Sequence, residues 1–243
     1  MFTCRALAAL LSYPTAELQA AVARGEIKAV LEGEGLLSRK TLKGLEPLLG
    51  EIAAWDVMDL QERYVDLFDR SRSRALHLFE HVHGESRDRG PAMVELMKMY
   101  EAAGLEIADN ELPDYLPLYL EYCSVLSVDE ARARLGQPIH VVSALRARLD
   151  KRESSYAGVL RAVEALAESK ADPAELDQLL QQDDDDPNDT ARLDATWSEE
   201  PVTFGPDAPG TGGNSCGRIK QIAERVARGL DKTRGATHPG QET

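Results

Sequence analysis

Apolar residues in the first 182 positions recur at steps of three and four, and that period restricts the chain to helix. Leu42, Leu45, Leu48, Leu49, Ile52 and Trp55 line one face, and Val57, Leu60, Tyr64, Leu67 and Phe68 line the next, with Asp56 placed as an N-cap. Pro91 fits a first turn ahead of Met93, Leu96, Met97 and Tyr100, a stripe that Gly104 ends. Ser127-Val128-Asp129-Glu130 has the form of a capping box, Asp172-Pro173 that of a helix start with Pro at its first position, and Pro138 opens the stripe Ile139, Val142, Leu145 and Leu149. No run of alternating β-branched residues bounded by hairpin turns is present. The spacing predicts an all-α domain over 1–182. Breaks at Pro14, Gly33–Gly35, Gly84–Gly90, Gly104–Pro113, Gly136–Pro138 and Lys170–Pro173 leave about eight to ten helices.

The remaining quarter differs in kind. Between Asp183 and Glu200 stand eight acidic residues and one base, Arg192. Residues 201–243 hold eight Gly and four Pro, a composition that cannot bury enough apolar surface to order itself. The expectation is an acidic, Gly/Pro-rich linker over 183–218. A disordered tail over 219–243 follows, with one thin helical stripe (Ile219, Ile222, Val226, Leu230).

With 28 Lys+Arg against 42 Asp+Glu, the net charge is -14. Nucleic acid and anionic lipid both require a basic face, so neither is an expected partner. No apolar run reaches the roughly 18 residues of a membrane span, and the N-terminus lacks the basic region and cleavage site of a secretory signal. Cys4, Cys123 and Cys216 are too few and too scattered for a disulfide framework or a metal-binding pair. A cytoplasmic protein is expected.

Two clusters carry chemistry. The first is LHLFEHVHGESRDRG, residues 76–90, with His77, His81 and His83 beside Glu80 and Glu85. Two imidazoles at i, i+4 and a carboxylate could bind zinc in a helical hydrolase. The order is not H-E-x-x-H, however, and Gly84 would end the helix where the ligands must converge. His81, His83, Glu85, Arg87, Asp88 and Arg89 therefore read as structural support or a second partner contact, with no metal. The second is NELPDYLPLYLEY, residues 110–122. Pro113 and Pro117 impose an extended entry, around which stand Tyr115, Leu118, Tyr119 and Tyr122 with the carboxylates Glu111, Asp114 and Glu121. An apolar surface rimmed by carboxylates suits a basic amphipathic peptide. No phosphate loop, dinucleotide fingerprint or nucleophile elbow accompanies them, so a binding protein is expected, not an enzyme.

Residues 67–105 followed by 111–122, with the string FEHVHGESRDRG at their centre, resemble the delta-subunit family of nitrate reductase assembly chaperones. That family is a branch of the TorD/DmsD-like redox-enzyme maturation chaperones. The resemblance covers roughly residues 5–200. The wider family's Y-x-x-L-F motif matches Tyr64, Leu67 and Phe68. Its E-x-P-D-H-like motif matches Glu111, Pro113, Asp114 and Tyr115, with Tyr where His is usual. The resemblance implies a TorD-like helical bundle without catalytic residues. Its partner would be the N-terminal peptide of the nitrate reductase catalytic (alpha) subunit. The apo-enzyme would be held for iron–sulfur and molybdenum cofactor insertion before membrane attachment, with molybdenum cofactor biosynthesis proteins as further partners. The cofactor is delivered to the client and not kept. Laid over the two clusters, this predicts a groove between the Tyr64–Phe68 helix and the Leu112–Tyr122 helix, with Glu111, Asp114 and Glu121 pairing the peptide's bases. The competing readings are the His77/His81 hydrolase and a generic helical scaffold whose acidic tail recruits a basic partner.

Overall fold

The computed structural model describes residues 1–83, 88–108 and 111–181; the expected linker and tail lie outside the described residues. The described residues form twelve α-helices: α1 (Phe2–Leu11), α2 (Ala16–Ala23), α3 (Glu26–Gly33), α4 (Arg39–Ala54), α5 (Val57–Tyr64), α6 (Leu78–His83), α7 (Arg89–Ala102), α8 (Leu116–Val125), α9 (Val128–Leu135), α10 (Ile139–Lys151), α11 (Ala157–Leu166) and α12 (Pro173–Leu180). A π-helical turn, Val65–Asp69, continues α5, and a 3-10 turn, Arg72–Arg74, follows it. Among the described residues there is no strand, only one isolated antiparallel bridge, His77 to Tyr115. The fold is all-α, as the periodicity predicts.

The number of helices exceeds eight to ten, for local reasons. Gly25 adopts φ 76°, a left-handed conformation open to glycine, and separates α2 from α3. Glu153 at φ 51° does the same between α10 and α11 without a glycine to announce it. The caps read from sequence hold: Asp56 accepts from the Met58 N–H, Ser127 and Glu130 form the reciprocal box, and Asp172 accepts from the N–H groups of Ala174 and Glu175.

The core is built around α1, α8, α10 and α11. Helix α1 packs most extensively on α8, α10 on α11, and α11 reaches across to α4. Ile139, Val142, Leu145 and Leu149, the stripe that Pro138 opens, are all buried, as are Leu45, Leu48 and Ile52 of α4. Two arginines are also buried. Arg148 of α10 donates to the carbonyls of Ser73 and Leu179, each at 2.6 Å. Arg74 donates through Nε to Leu67 O at 3.0 Å, satisfying a carbonyl of the π turn. Each guanidinium thus uses planar donors to tie irregular backbone to the helical frame.

Helices α4 and α11 approach closely enough for backbone contact. A Cβ at Gly158 would stand 2.3 Å from Gly44 O and 3.1 Å from its carbonyl carbon. Gly158→Ala must push the helices apart, and the urea midpoint should fall by the equivalent of about 1–3 kcal/mol. An unchanged midpoint would mean that the two helices are not held at this distance.

Candidate functional site

The Y-x-x-L-F and E-x-P-D segments meet through two phenols. Tyr64, at the end of α5, donates its hydroxyl proton to Leu11 O at 2.9 Å, and the Tyr115 oxygen lies 2.7 Å from the Tyr64 oxygen. Tyr64 has one proton and has given it to Leu11, so Tyr115 is the donor in the second bond. Phe68 and Tyr156 pack on the Tyr64 ring at 4.9 and 6.2 Å, and Tyr13 meets it edge-on at 5.6 Å. Tyr64, Phe68 and Tyr156 are buried; Leu67 and Tyr115 are half-buried and form the exposed side of the cluster. Burial pushes the Tyr115 hydroxyl up to about 12, with the Glu111 and Asp69 carboxylates adding to the shift. Asp69, beyond the π turn, is itself raised by desolvation and lowered by His77. Where the family motif usually has His, this chain presents a phenol, and the His77 ring stacks on it at 5.4 Å.

Asp114 does not stand on the rim. It is fully buried, and its Oδ2 accepts from the Phe79 N–H at 3.0 Å while its backbone carbonyl accepts from Leu78 N at 2.9 Å. These are the first amides of α6, so Asp114 caps that helix from across the fold. His77 Nδ1 lies 3.4 Å from Asp114 Oδ1 and Arg89 Nη2 lies 3.8 Å from Oδ2. With Leu116 N donating to Leu76 O at 2.8 Å, the segments at 76–78 and 114–116 are pinned together. A peptide's basic group could reach this carboxylate only if the fold opened.

The remaining members of the proline-tyrosine cluster face elsewhere. Pro113 is buried and its carbonyl accepts from the Tyr100 hydroxyl at 2.7 Å. Tyr119 donates to Arg134 O at 2.8 Å, and Tyr122 packs on Tyr100 at 5.2 Å. Both rings are buried in a second aromatic group between α7, α8 and α9. Of the residues expected on the client surface, Glu111 and Glu121 are exposed and Leu67, Tyr115 and Leu118 half-buried; the others shape the surface from below.

The histidines have separate tasks. His81 is buried and its Nε2 lies 2.7 Å from Ala75 O, to which it donates. Desolvation lowers its pKa to about 4, so it is neutral at physiological pH. His77 is the bridge residue ahead of α6 and faces Asp114. No group of three or more His, Cys, Asp or Glu able to hold a metal occurs among the described residues. Arg89 opens α7 and reaches Asp114; Asp88 is exposed at the N-cap of α7. Glu85 and Arg87 lie outside the described residues, and His83 closes α6.

One neighbouring feature had no sequence signal. Arg63 donates to Glu51 at 2.6 Å and to the Ser155 hydroxyl at 3.1 Å, with its guanidinium 5.1 Å from the Trp55 ring centre and 5.8 Å from that of Tyr156. It joins the π cluster to an exposed indole.

Fold and site together define an all-α protein with two buried aromatic clusters and a carboxylate that caps a helix from across the fold. Comparison with known proteins places it more closely. The nitrate reductase delta subunit family pattern matches residues 35–162, and the chain belongs to that family. It is 40% identical over 195 residues to the nitrate reductase molybdenum cofactor assembly chaperone NarJ of Escherichia coli, covering 80% of this chain and 81% of that protein. It is 44% identical over 150 residues to the probable nitrate reductase molybdenum cofactor assembly chaperone NarW of the same organism, covering 61% and 64%. Against the probable NarJ chaperone of Bacillus subtilis it is 32% identical over 167 residues, covering 69% and 89%. These relatives are named as assembly chaperones and not as enzymes. No described helix is long and apolar enough to cross a membrane.

Two stability measurements test this architecture. Asp114→Ala strands the buried Phe79 N–H and removes the partner of His77 and Arg89, so it should cost about 1–3 kcal/mol in urea unfolding; a cost under about 0.5 kcal/mol would show that the buried cap is not formed. For His81, the unfolded imidazole protonates near pH 6.5 while the folded one stays neutral to about 4. The unfolded state therefore binds the extra proton, and stability present above pH 6.5 is lost as pH falls towards 4, by on the order of 3 kcal/mol. His81→Phe should flatten that part of the stability profile, and an unchanged profile would place the titration elsewhere.

Proposed function

We propose that this protein is a chaperone for nitrate reductase assembly, acting in the cytoplasm before the enzyme reaches the membrane. The observation that carries the reading is the 40% identity, over four-fifths of both chains, to a protein named for molybdenum cofactor assembly of nitrate reductase. Its client is the N-terminal segment of the catalytic (alpha) subunit, held while iron–sulfur clusters and the molybdenum cofactor are inserted. The cofactor passes to the client from molybdenum cofactor biosynthesis proteins and is not kept here.

The surface supports that reading in chemistry. Leu67 and Tyr115 offer half-exposed apolar area over a rigid aromatic base, and Leu118 and Glu121 follow one turn apart along α8. A client helix would rest its apolar face on these side chains and place basic residues against Glu111 and Glu121. Because the base is already packed, little of the binding energy goes into ordering the chaperone. Ordering the peptide still offsets the apolar gain and keeps the complex reversible.

Isothermal titration with a synthetic peptide of the first 15–30 or so residues of the catalytic subunit checks this. Saturable binding with a negative heat-capacity change is expected. Glu111→Lys combined with Glu121→Lys should weaken it about three- to tenfold, since rim charges contribute less than about 1 kcal/mol each. No heat at any accessible concentration would overturn the client assignment.

A further inference from the structure

The exposed side of α5 and its π turn carries a row of carboxylates: Asp59, Glu62, Asp66 and Asp69, spaced three, four and three residues apart. Among the described residues, Asp66 of that row pairs with Arg70 at 2.9 Å. Beside the row stand Met58, 71% exposed, and Trp55, 43% exposed, although both are large apolar side chains. At the far end lie half-buried Leu67 and Tyr115. From Val57 to Asp69 this face is about 20 Å long at 1.5 Å per residue.

The sequence contains a segment of complementary chemistry. Residues 218–234 carry six basic side chains (Arg218, Lys220, Arg225, Arg228, Lys232, Arg234) and two acidic ones, Glu224 and Asp231, in a chain whose net charge is -14. Ile219, Ile222, Val226 and Leu230 recur at helical steps. As a helix, 218–232 would be about 22 Å long, matching the acidic face. The 36 residues at 182–217 span up to about 120 Å when extended, against a radius of gyration of about 16 Å for a domain of this size. The segment can therefore reach the face, at an effective concentration of order millimolar.

We infer that residues 218–234 dock in cis along the Trp55–Met58–Asp59–Glu62–Asp66–Asp69 face and extend over Leu67 and Tyr115, where they compete with the client peptide. The competition rests on the proposed client reading; the docking does not. The segment has the basic, amphipathic character proposed for the client, so it acts as an internal occupant that keeps the apolar face covered until a better-fitting peptide displaces it.

The test uses the full chain with Trp197→Phe, which leaves Trp55 as the sole indole. Acrylamide quenching of Trp55 is compared with that in the same chain carrying Arg225→Glu and Arg228→Glu. The charge reversals should raise the quenching constant about twofold. Client peptide should then bind about tenfold tighter, as expected when the competent fraction rises from about a tenth to nearly all. Adding Asp59→Lys and Glu62→Lys to the reversed segment should restore protection of Trp55. Equal quenching in the first two chains overturns the docking, whether the segment is free or paired with the acidic run at 183–200. Failure of the charge swap to restore protection overturns its placement on α5. Protection lost on dilution assigns the segment to a second copy and overturns the arrangement in cis. If quenching responds and the swap restores it while no client peptide binds, the docking stands and the client assignment fails.

Discussion

A carboxylate with no exposure to solvent organises the candidate site. Asp114 accepts the Phe79 N–H and holds the start of α6 against the start of α8, and His77 and Arg89 converge on the same two oxygens. A buried charge is tolerated only when hydrogen bonds and counter-charges surround it. The segments that supply them are thereby fixed in place. Tyr115 follows Asp114 directly, so its phenol is delivered to Tyr64, and through Tyr64 to the end of α1. The candidate surface is held from below by the Asp114 hydrogen bonds and by the packed rings of Tyr64, Phe68 and Tyr156.

The electrostatics of the domain divide in the same way. Inside, guanidinium groups serve the backbone: Arg74 and Arg148 satisfy carbonyls of the π and 3-10 turns and of the last turn of α12. Outside, the α5 face carries four exposed carboxylates, of which Asp66 pairs with Arg70. An excess of acid spread over the surface would serve solubility alone, whereas an excess aligned along one helix beside exposed Trp55 and Met58 favours a basic, amphipathic partner.

Helical class, the stripes of α4 and α10 and three of the caps were legible because each depends on residues within one or two turns of one another. Asp114 was not. Beside Glu111 and among tyrosines it reads as a rim acid, and nothing nearby in sequence reveals that its partner amide comes from Phe79, 35 positions away. The tyrosines of residues 115–122 likewise read as one surface, yet Tyr115 turns to α5 while Tyr119 and Tyr122 turn to α7 and α9. Which side of a short helix faces which neighbour is decided by tertiary packing, and a periodicity shared by both sides cannot express it. The family motifs pointed to the two segments that meet at Tyr64 and Tyr115, and the burial within them needed coordinates.

The π turn at Val65–Asp69 closes with Arg70 N bonded to Val65 O, five residues back. Geometrically it is an α-helix carrying one surplus residue. Deleting a single position there would leave a helix that closes smoothly, and sequence alone would register only a shortened loop. Yet each α-helical residue turns the helix by about 100°, so everything after the deletion would rotate by that angle relative to Tyr64. Asp69 would leave the neighbourhood of His77 and Tyr115, and Arg74 would lose Leu67 O. The surplus residue thus acts as an angular spacer: it sets the azimuth at which the two segments that meet at Tyr64 and Tyr115 face each other, and a change of length there would misalign them.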